Sequence, residues 1–337
     1  MNRESQVPVY KQIIESIQEL TNSGKYKTGD FLPSMQELAE ELQISKETVK
    51  KAYSILRGKG IIESTQGKGF YVTNNGLHKT EILLLFDKIS TYKQVLYGSF
   101  QENIGESSEI TIRLHNQDIA LFEHFVEENL DKFDYYLITS HFPLQADIQA
   151  RVIKTLKKIP NRKLLLIDRY IKELPGNYGS VYQDFERDIF DGLSQGLDDL
   201  KKFNKLNVIT MPGSMYAPLI EKGIKYFCEK NKINLEIHRL LDPDKIERNE
   251  VYLILNSQLD KELLELVRIA KKKGYEIGKE IGIISYNESP INEIVLDGLT
   301  VLSTDFEQMG ELAAKMILEK KARKIKCDFH LIRRSTF

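Results

Sequence analysis

Three pieces of one stretch decide the reading: Leu32-Pro33-Ser34-Met35-Gln36-Glu37-Leu38-Ala39, then Ile44-Ser45-Lys46-Glu47-Thr48-Val49-Lys50-Lys51-Ala52, then Gln66-Gly67-Lys68-Gly69. Pro33 followed by Ser34 signals a helix start, because a serine oxygen accepts hydrogen bonds from the free N–H groups of a first turn. Leu38, Ala39 and Leu42 then recur at helical spacing and give one apolar stripe. After a polar break at Gln43, Ser45 is a second N-cap. Val49, Ala52, Tyr53 and Leu56 make the inner face of the helix it opens, which leaves Lys46, Thr48, Lys50 and Lys51 pointing elsewhere. Gly58 and Gly60 end that helix, and Ile61-Ile62-Glu63 and Phe70-Tyr71-Val72 read as short strands. The tip between them, Gln66-Gly67-Lys68-Gly69, carries glycines that let backbone approach a phosphate closely. This order describes a winged helix-turn-helix, whose second helix can enter a DNA major groove.

Charge is distributed to match. Residues 43–72 hold six Lys and Arg side chains against two Glu, in a 337-residue chain of net charge −1. The positive surface is local. Lysines on a helix face more often only solvate it, and only caps, wing and basic helix together point to DNA. A winged helix that binds protein instead would show little dependence of affinity on salt.

The chain is too long for one such module and predicts two or three compact units. The polar segment Thr73–Lys79 breaks it into a head, residues 1–73, a linker, 74–79, and a body, 80–337. Within the body strands and helices alternate: strands at 81–86, 110–114, 135–139, 163–168, 206–211, 235–238, 251–255 and 282–286, and helices near 92–104, 118–129, 145–158, 217–230, 260–273 and 306–319. That alternation implies an α/β fold of doubly wound parallel sheets, in two lobes because the length exceeds one sheet's needs. Cys228 and Cys327 have no metal-ligand neighbours and read as free thiols, and His115, His124, His141, His238 and His330 show no metal spacing. No metal or cofactor is expected. The chain shows no apolar N-terminal run and no bilayer-length apolar stretch, so the expectation is a cytoplasmic protein without a membrane partner.

Ligands of doubly wound sheets bind beyond the carboxyl ends of strands. That rule selects Asp87, Ser90, His141, Asp168, Arg169, Asn256, Ser257, Asn287 and Glu288, with Tyr92 as a ring to stack on a sugar face. Asp168-Arg169 is the strongest pair, an acid and a base directly after a buried run. Asp87 and Asp168 leave open an alternative, a sugar- or nucleotide-modifying α/β enzyme fused to a DNA-binding anchor. No phosphate-cradling Gly-x-x-x-x-Gly-Lys and no Gly-x-Ser-x-Gly elbow supports it, and no catalytic residue is assigned.

On these residues the head, Pro8 to Val72, resembles the DNA-binding domain of the GntR family of bacterial transcription regulators. Pro8-Val9-Tyr10-Lys11-Gln12-Ile13 is similar to that family's opening helix, and Gly24 to Ser34 to its loop into helix two. The resemblance implies DNA contacts from Ser45, Lys46, Thr48 and Lys50 on the recognition helix and from Gly67 and Lys68 on the wing, with Ser34, Gln36 and Gln66 completing the surface. Gln36 and Lys46 stand where the family usually has arginine, so the operator sequence is not carried over. Residues 80–337 resemble the effector domain of LacI-type repressors, which has the type 1 periplasmic sugar-binding fold. The likeness lies in Leu165–Arg169, Val181–Asp184, Ile281–Pro290, Leu299–Ser303, Met309–Ala314 and Arg333–Thr336. A GntR head on such a body is similar to the arabinose-responsive repressors of bacilli.

That resemblance implies a homodimer on a palindromic operator in double-stranded DNA, its operator affinity changed by a monosaccharide between the lobes; release is the commoner polarity in that group, and the sequence does not show the sign. It implies that Asp168 and Arg169 grip sugar hydroxyls; Asp87 and His141, selected as strand-end residues, and Asp184 are expected to join them as ligand contacts. Tyr92 fills the aromatic slot, Asn287 replaces a frequent aspartate and Ser257 a frequent asparagine. Relatives place arginine before Gly223, whereas this chain has Pro218-Leu219-Ile220-Glu221-Lys222. The expected apolar wall favours a deoxy sugar over a sugar phosphate.

Overall fold

The computed structural model describes residues 7–73, 79–210, 215–255 and 261–337. Their contacts form two units, one reaching Thr80 and also holding Glu106–Glu109, the other made of the remainder.

In the first unit, α1 (Val9–Asn22), α2 (Met35–Leu42) and α3 (Lys46–Gly58) precede a hairpin of β1 (Ile62–Thr65) and β2 (Gly69–Val72). Ile13, Ile14 and Ile17 of α1 pack with Val49, Ala52, Tyr53 and Leu56 of α3. Ser34 and Glu37 form a reciprocal capping box on α2, and Ser45 caps α3. The turn between these helices works because Gln43 adopts a left-handed conformation, φ 51°, and Ile44 N–H donates back to Ala39 O at 3.0 Å. Tyr53 fixes α3 to its surroundings: its hydroxyl donates to Pro33 O at 2.8 Å, and its ring meets Phe70 of the wing edge-on at 4.9 Å. The hairpin is in register from Ile62 opposite Val72 to Thr65 opposite Gly69. Gly67 and Gly69 take φ of 81° and 101°, which is why the tip requires glycine.

The second unit runs β3 (Thr80–Phe86), α4 (Thr91–Ile104), β4 (Ser108–Leu114), α5 (Ile119–Glu128), β5 (Tyr135–Thr139), α6 (Ala146–Leu156), β6 (Leu164–Arg169) and β7 (Gly179–Gln183). It continues with α7 (Phe185–Gln195), α8 (Leu197–Leu200), β8 (Lys205–Ile209), α9 (Ala217–Asn231), β9 (Leu235–His238), β10 (Glu250–Ile254), α10 (Lys261–Lys273), β11 (Ile281–Tyr286) and β12 (Thr300–Thr304). The last elements are α11 (Phe306–Leu318), β13 (Lys324–Lys326) and β14 (Phe329–Ile332). Two six-stranded sheets result, ordered β13-β7-β6-β5-β3-β4 and β14-β12-β11-β10-β8-β9. The second is parallel except for β14, which runs antiparallel to β12.

Both sheets bury strands such as Leu83–Phe86 and Ile281–Ile284 with helices on either face, the reason those runs are apolar without alternation. The chain passes between lobes three times. β7 of the first lobe leads into α7, which packs in the second; β12 of the second leads into α11, which packs in the first; β13 leads into β14. In the first lobe α4 and α11 touch so closely at Gly310 that an added Cβ would lie 2.4 Å from Leu96 O. Asn74–His78 of the expected linker, Met211–Ser214 and Asn256–Asp260, and with them Ser257, lie outside the described residues.

Candidate DNA-reading surface and effector cleft

In the head, burial of Val49, Ala52, Tyr53 and Leu56 turns the other side of α3 outward. Lys46, Glu47 and Lys50 are exposed there, as are Gln66, Gly67 and Lys68 at the wing tip. Ser45 Oγ accepts from Thr48 N–H at 3.2 Å and lies 2.8 Å from Thr48 Oγ1, so both hydroxyls are held at the helix start. Lys50 lies 3.2 Å from Glu47, an exposed pair that a phosphate can displace at little cost. Lys51, part of the same run, behaves differently: its ammonium sits 4.1 Å over the Tyr10 ring, against α1. Ser34 spends its oxygen on the α2 cap, and Gln36 donates to Glu40 at 2.6 Å.

Because Gln183 and Thr304 end β7 and β12 where the chain crosses over, the carboxyl ends of both sheets border the cleft between lobes. Four of the expected cleft residues meet there. His141 Nε2 lies 3.0 Å from Asp168 Oδ2, a close approach without hydrogen-bond geometry, and its Nδ1 lies 3.9 Å from Asp87 Oδ2. Tyr92 donates from its hydroxyl to Asp168 Oδ2 at 3.2 Å. Arg169 donates to Ser140 O at 3.1 Å and to Gln149 Oε1 at 2.9 Å. Asp168 has φ 73° and Asn287 φ 68°, left-handed conformations that non-glycine residues adopt mostly where the surroundings impose them.

Other expectations need correction. The Tyr92 ring is no open platform, since it packs on Phe306 at 4.4 Å and is buried. Asp184 caps α7 by accepting from Arg187 N–H at 3.2 Å instead of joining the cluster. The segment before Gly223 is not wholly apolar: Glu221 is buried and receives both guanidinium arms of Arg239, at 2.6 and 3.2 Å.

Four participants escaped the sequence reading. Lys93, fully buried in the first turn of α4, forms an ion pair with Asp87. Thr139 donates to Asp87 Oδ1 at 3.2 Å. Gln183 donates to Asp168 Oδ1. Tyr216, from the second lobe, stacks on Phe185 at 4.5 Å, meets the His141 ring at 5.0 Å and lies under the Arg169 guanidinium at 5.7 Å. Had Gly179–Gln183 been read as a strand, its polar carboxyl end would have flagged Gln183; a lysine in a helix first turn carries no such signal.

Burial alone would raise the carboxyls of Asp87 and Asp168. The charges of His141 and Lys93 outweigh it and hold both below the ordinary carboxylate value. Burial pushes the Tyr92, Tyr216 and Tyr286 hydroxyls up, so all three stay protonated. Behind the cluster, burial pushes the His115 imidazole down to about 4. Its Nε2 lies 3.1 Å from Thr139 O and its Nδ1 accepts from Gln117 N–H, which fixes the neutral tautomer. Ser140 Oγ, Tyr286 OH and Asn287 Oδ1, at or just past strand ends, are buried without a hydrogen-bond partner. Among the described residues no three His, Cys, Asp or Glu side chains are grouped to hold a metal ion.

The head is thus a winged helix-turn-helix and the body a two-lobed α/β domain of mainly parallel sheets. Residues 9–72 match the family described as bacterial regulatory proteins, gntR family, and residues 201–336 match the periplasmic binding protein-like domain. The head is 45% identical to the HTH-type transcriptional repressor YtrA of Bacillus subtilis, over 21% of this chain and 55% of that protein. The first curated relatives are thus matched over about half their length or less. The arabinose metabolism transcriptional repressor of Geobacillus stearothermophilus is 22% identical over 94% of this chain and 92% of its own. The trehalose repressor from Escherichia coli has the same body fold, with TM-score 0.59 and 10% identity over 75% of this chain and all of that structure. The chain therefore carries a GntR-family head on a periplasmic-binding-protein-like body.

Proposed function

We propose that this protein is a DNA-binding transcription regulator, a repressor, whose operator affinity changes when a small neutral carbohydrate binds between the lobes. The observation that carries the proposal is the contrast in the cleft between charges already matched and neutral groups left over. Asp87 has Lys93, and Asp168 has His141, Tyr92 and Gln183. What remains without a hydrogen-bond partner includes the hydroxyls of Ser90, Ser140, Tyr216 and Tyr286 and the amide oxygen of Asn287, which suit sugar hydroxyls better than a phosphate. Lys93, the buried cation of the cluster, is already paired with Asp87 and is not free for a phosphate. The names of two proteins already described, a repressor of arabinose metabolism and a trehalose repressor, support the same reading.

Lys46, Thr48, Lys50 and the wing tip would meet the duplex, two copies of the chain on a palindromic site, in the cytoplasm. Among the described residues no helix is long and apolar enough to cross a membrane. An enzyme reading finds little support, since acid–base catalysis on a sugar needs one carboxyl with a raised pKa and both candidates here are lowered. A thermal-shift screen of monosaccharides and their phosphates tests the proposal: a ligand well above its Kd raises Tm by mass action. The sugar that does so should also alter affinity for a duplex selected by the protein from a random pool. Turnover of that sugar, or a shift with phosphates only, would refute the reading.

A further inference from the structure

Gln183 is the last residue of β7, in the first of the three segments that join the lobes, and it is buried. Its amide nitrogen donates to Asp168 Oδ1, and its amide oxygen accepts from Thr304 Oγ1 at 3.1 Å. Thr304 is the last residue of β12, in the second joining segment. The third segment is tied to the other two by backbone. Cys327 N–H donates to Tyr182 O at 2.8 Å, and Asp305 N–H donates to Asp328 O at 2.9 Å. Gln308 holds Asp328 from both sides, at 2.7 and 2.9 Å. Among the described residues Gln183 alone hydrogen-bonds both a cleft carboxylate and a second joining segment.

We propose that Gln183 is the positioning residue that converts occupancy of Asp168 into rotation of the lobes, with Thr304 as its relay. The proposal rests on the cleft being the effector site. Asp168 presents two oxygens, and Tyr92, His141 and Gln183 already surround them. A ligand hydroxyl that donates to this carboxylate competes with the Gln183 amide. When the amide turns away, Thr304 loses its acceptor, so two joining strands respond to one hydrogen bond. An effector acts only through such a difference between shapes.

The test uses the full chain, a duplex selected from a random pool by the wild type, and L-arabinose, D-xylose, D-ribose, D-galactose and D-glucose. Gln183→Met keeps size and removes both hydrogen bonds; Thr304→Val removes the relay and Thr304→Ser restores it. A sugar that raises the wild-type Tm should raise that of Thr304→Ser equally, and that of Gln183→Met and Thr304→Val at least as much, because the competing amide is gone or loosened. It should change wild-type and Thr304→Ser DNA affinity by about 5–150-fold, and that of Gln183→Met and Thr304→Val by no more than about twofold. An undiminished response in Gln183→Met, or loss of sugar binding in parallel with loss of response, overturns the proposal. A ligand-free arm decides it even if no sugar binds, the result that would sink the effector reading instead. Tm shifts of Asp168→Asn and Thr304→Val should be non-additive, and should become additive in the Gln183→Met background. Additivity with Gln183 present refutes the relay.

Discussion

Head and cleft both concentrate polar side chains, yet they do opposite things with them. On α3 and the wing, Lys46, Lys50 and Lys68 stand in solvent, contribute little to the fold and stay available to a partner. In the cleft, Asp87, Lys93, His141 and Asp168 are buried, with Asp87 paired to Lys93 and Asp168 held by Tyr92 and Gln183 beside His141. The first surface is made of groups the fold does not need. The second is made of groups the fold cannot lose, and a ligand must bargain with bonds already formed.

This contrast breaks most plainly at Lys93. Removing one partner of a buried ion pair strands the other charge, so Lys93→Met should destabilise the body by about 3–5 kcal/mol in denaturant unfolding. Lys46→Ala in the head should stay within about 0.5 kcal/mol of wild type. Adding Asp87→Leu to Lys93→Met should recover much of the loss. Equal, small effects of Lys93→Met and Lys46→Ala would erase the distinction.

A pH titration sharpens the same point. His115 is held neutral in the fold, with its pKa pushed down to about 4, whereas an unfolded histidine protonates near about 6.5. The unfolded chain therefore binds the extra proton first as pH falls. Stability is complete above about pH 6.5 and declines by about 3 kcal/mol on the way to pH 4. In His115→Gln that slope between pH 6.5 and 4 should flatten. A slope equal to wild type would show that the imidazole is not the group being charged. The carboxylates Asp87 and Asp168, with lowered pKa values, lose their contribution only below the ordinary aspartate range.

How much the sequence revealed follows from the same division. The head was legible because its determinants are local: Ser45 caps three residues ahead, and Gly67 and Gly69 announce the tip within one hairpin. Most body strands and helices were legible too, each carried by its own apolar run. What stayed hidden depends on distance. Tyr92 reaches Asp168 across 76 positions and Thr304 reaches Gln183 across 121. β7 begins Gly179-Ser180 and so lacks a continuous apolar run, did not read as a strand, and left Gln183 at its carboxyl end unselected as a site residue. Asp184 and Ser34 were expected at binding surfaces, but each is claimed by the nearest helix terminus.

Ser45 offers a smaller test on the head side. Its oxygen holds the N-terminus of the recognition helix, so Ser45→Ala should cost about 1 kcal/mol of head stability, read by thermal unfolding. Ser45→Asn should restore it. If Ser45→Ala weakened DNA binding with no loss of stability, the hydroxyl would belong to the interface more than to the cap.

The finest distinction is between two lysines of one basic segment. Each phosphate neutralised on DNA adds about 0.9 to the slope of log K against log salt concentration. Lys68 stands exposed at the wing tip, and Lys68→Ala should lower that slope by about 0.9. Lys51 lies on the Tyr10 ring, a contact worth about 0.5–1 kcal/mol to the fold. Lys51→Ala should therefore lower Tm and leave the slope unchanged. Measured across salt on the same duplex, a slope change at Lys51 and none at Lys68 would mean that the head meets DNA through its α1 side. The outward face of α3 would then be surplus charge, no different in kind from any solvated helix.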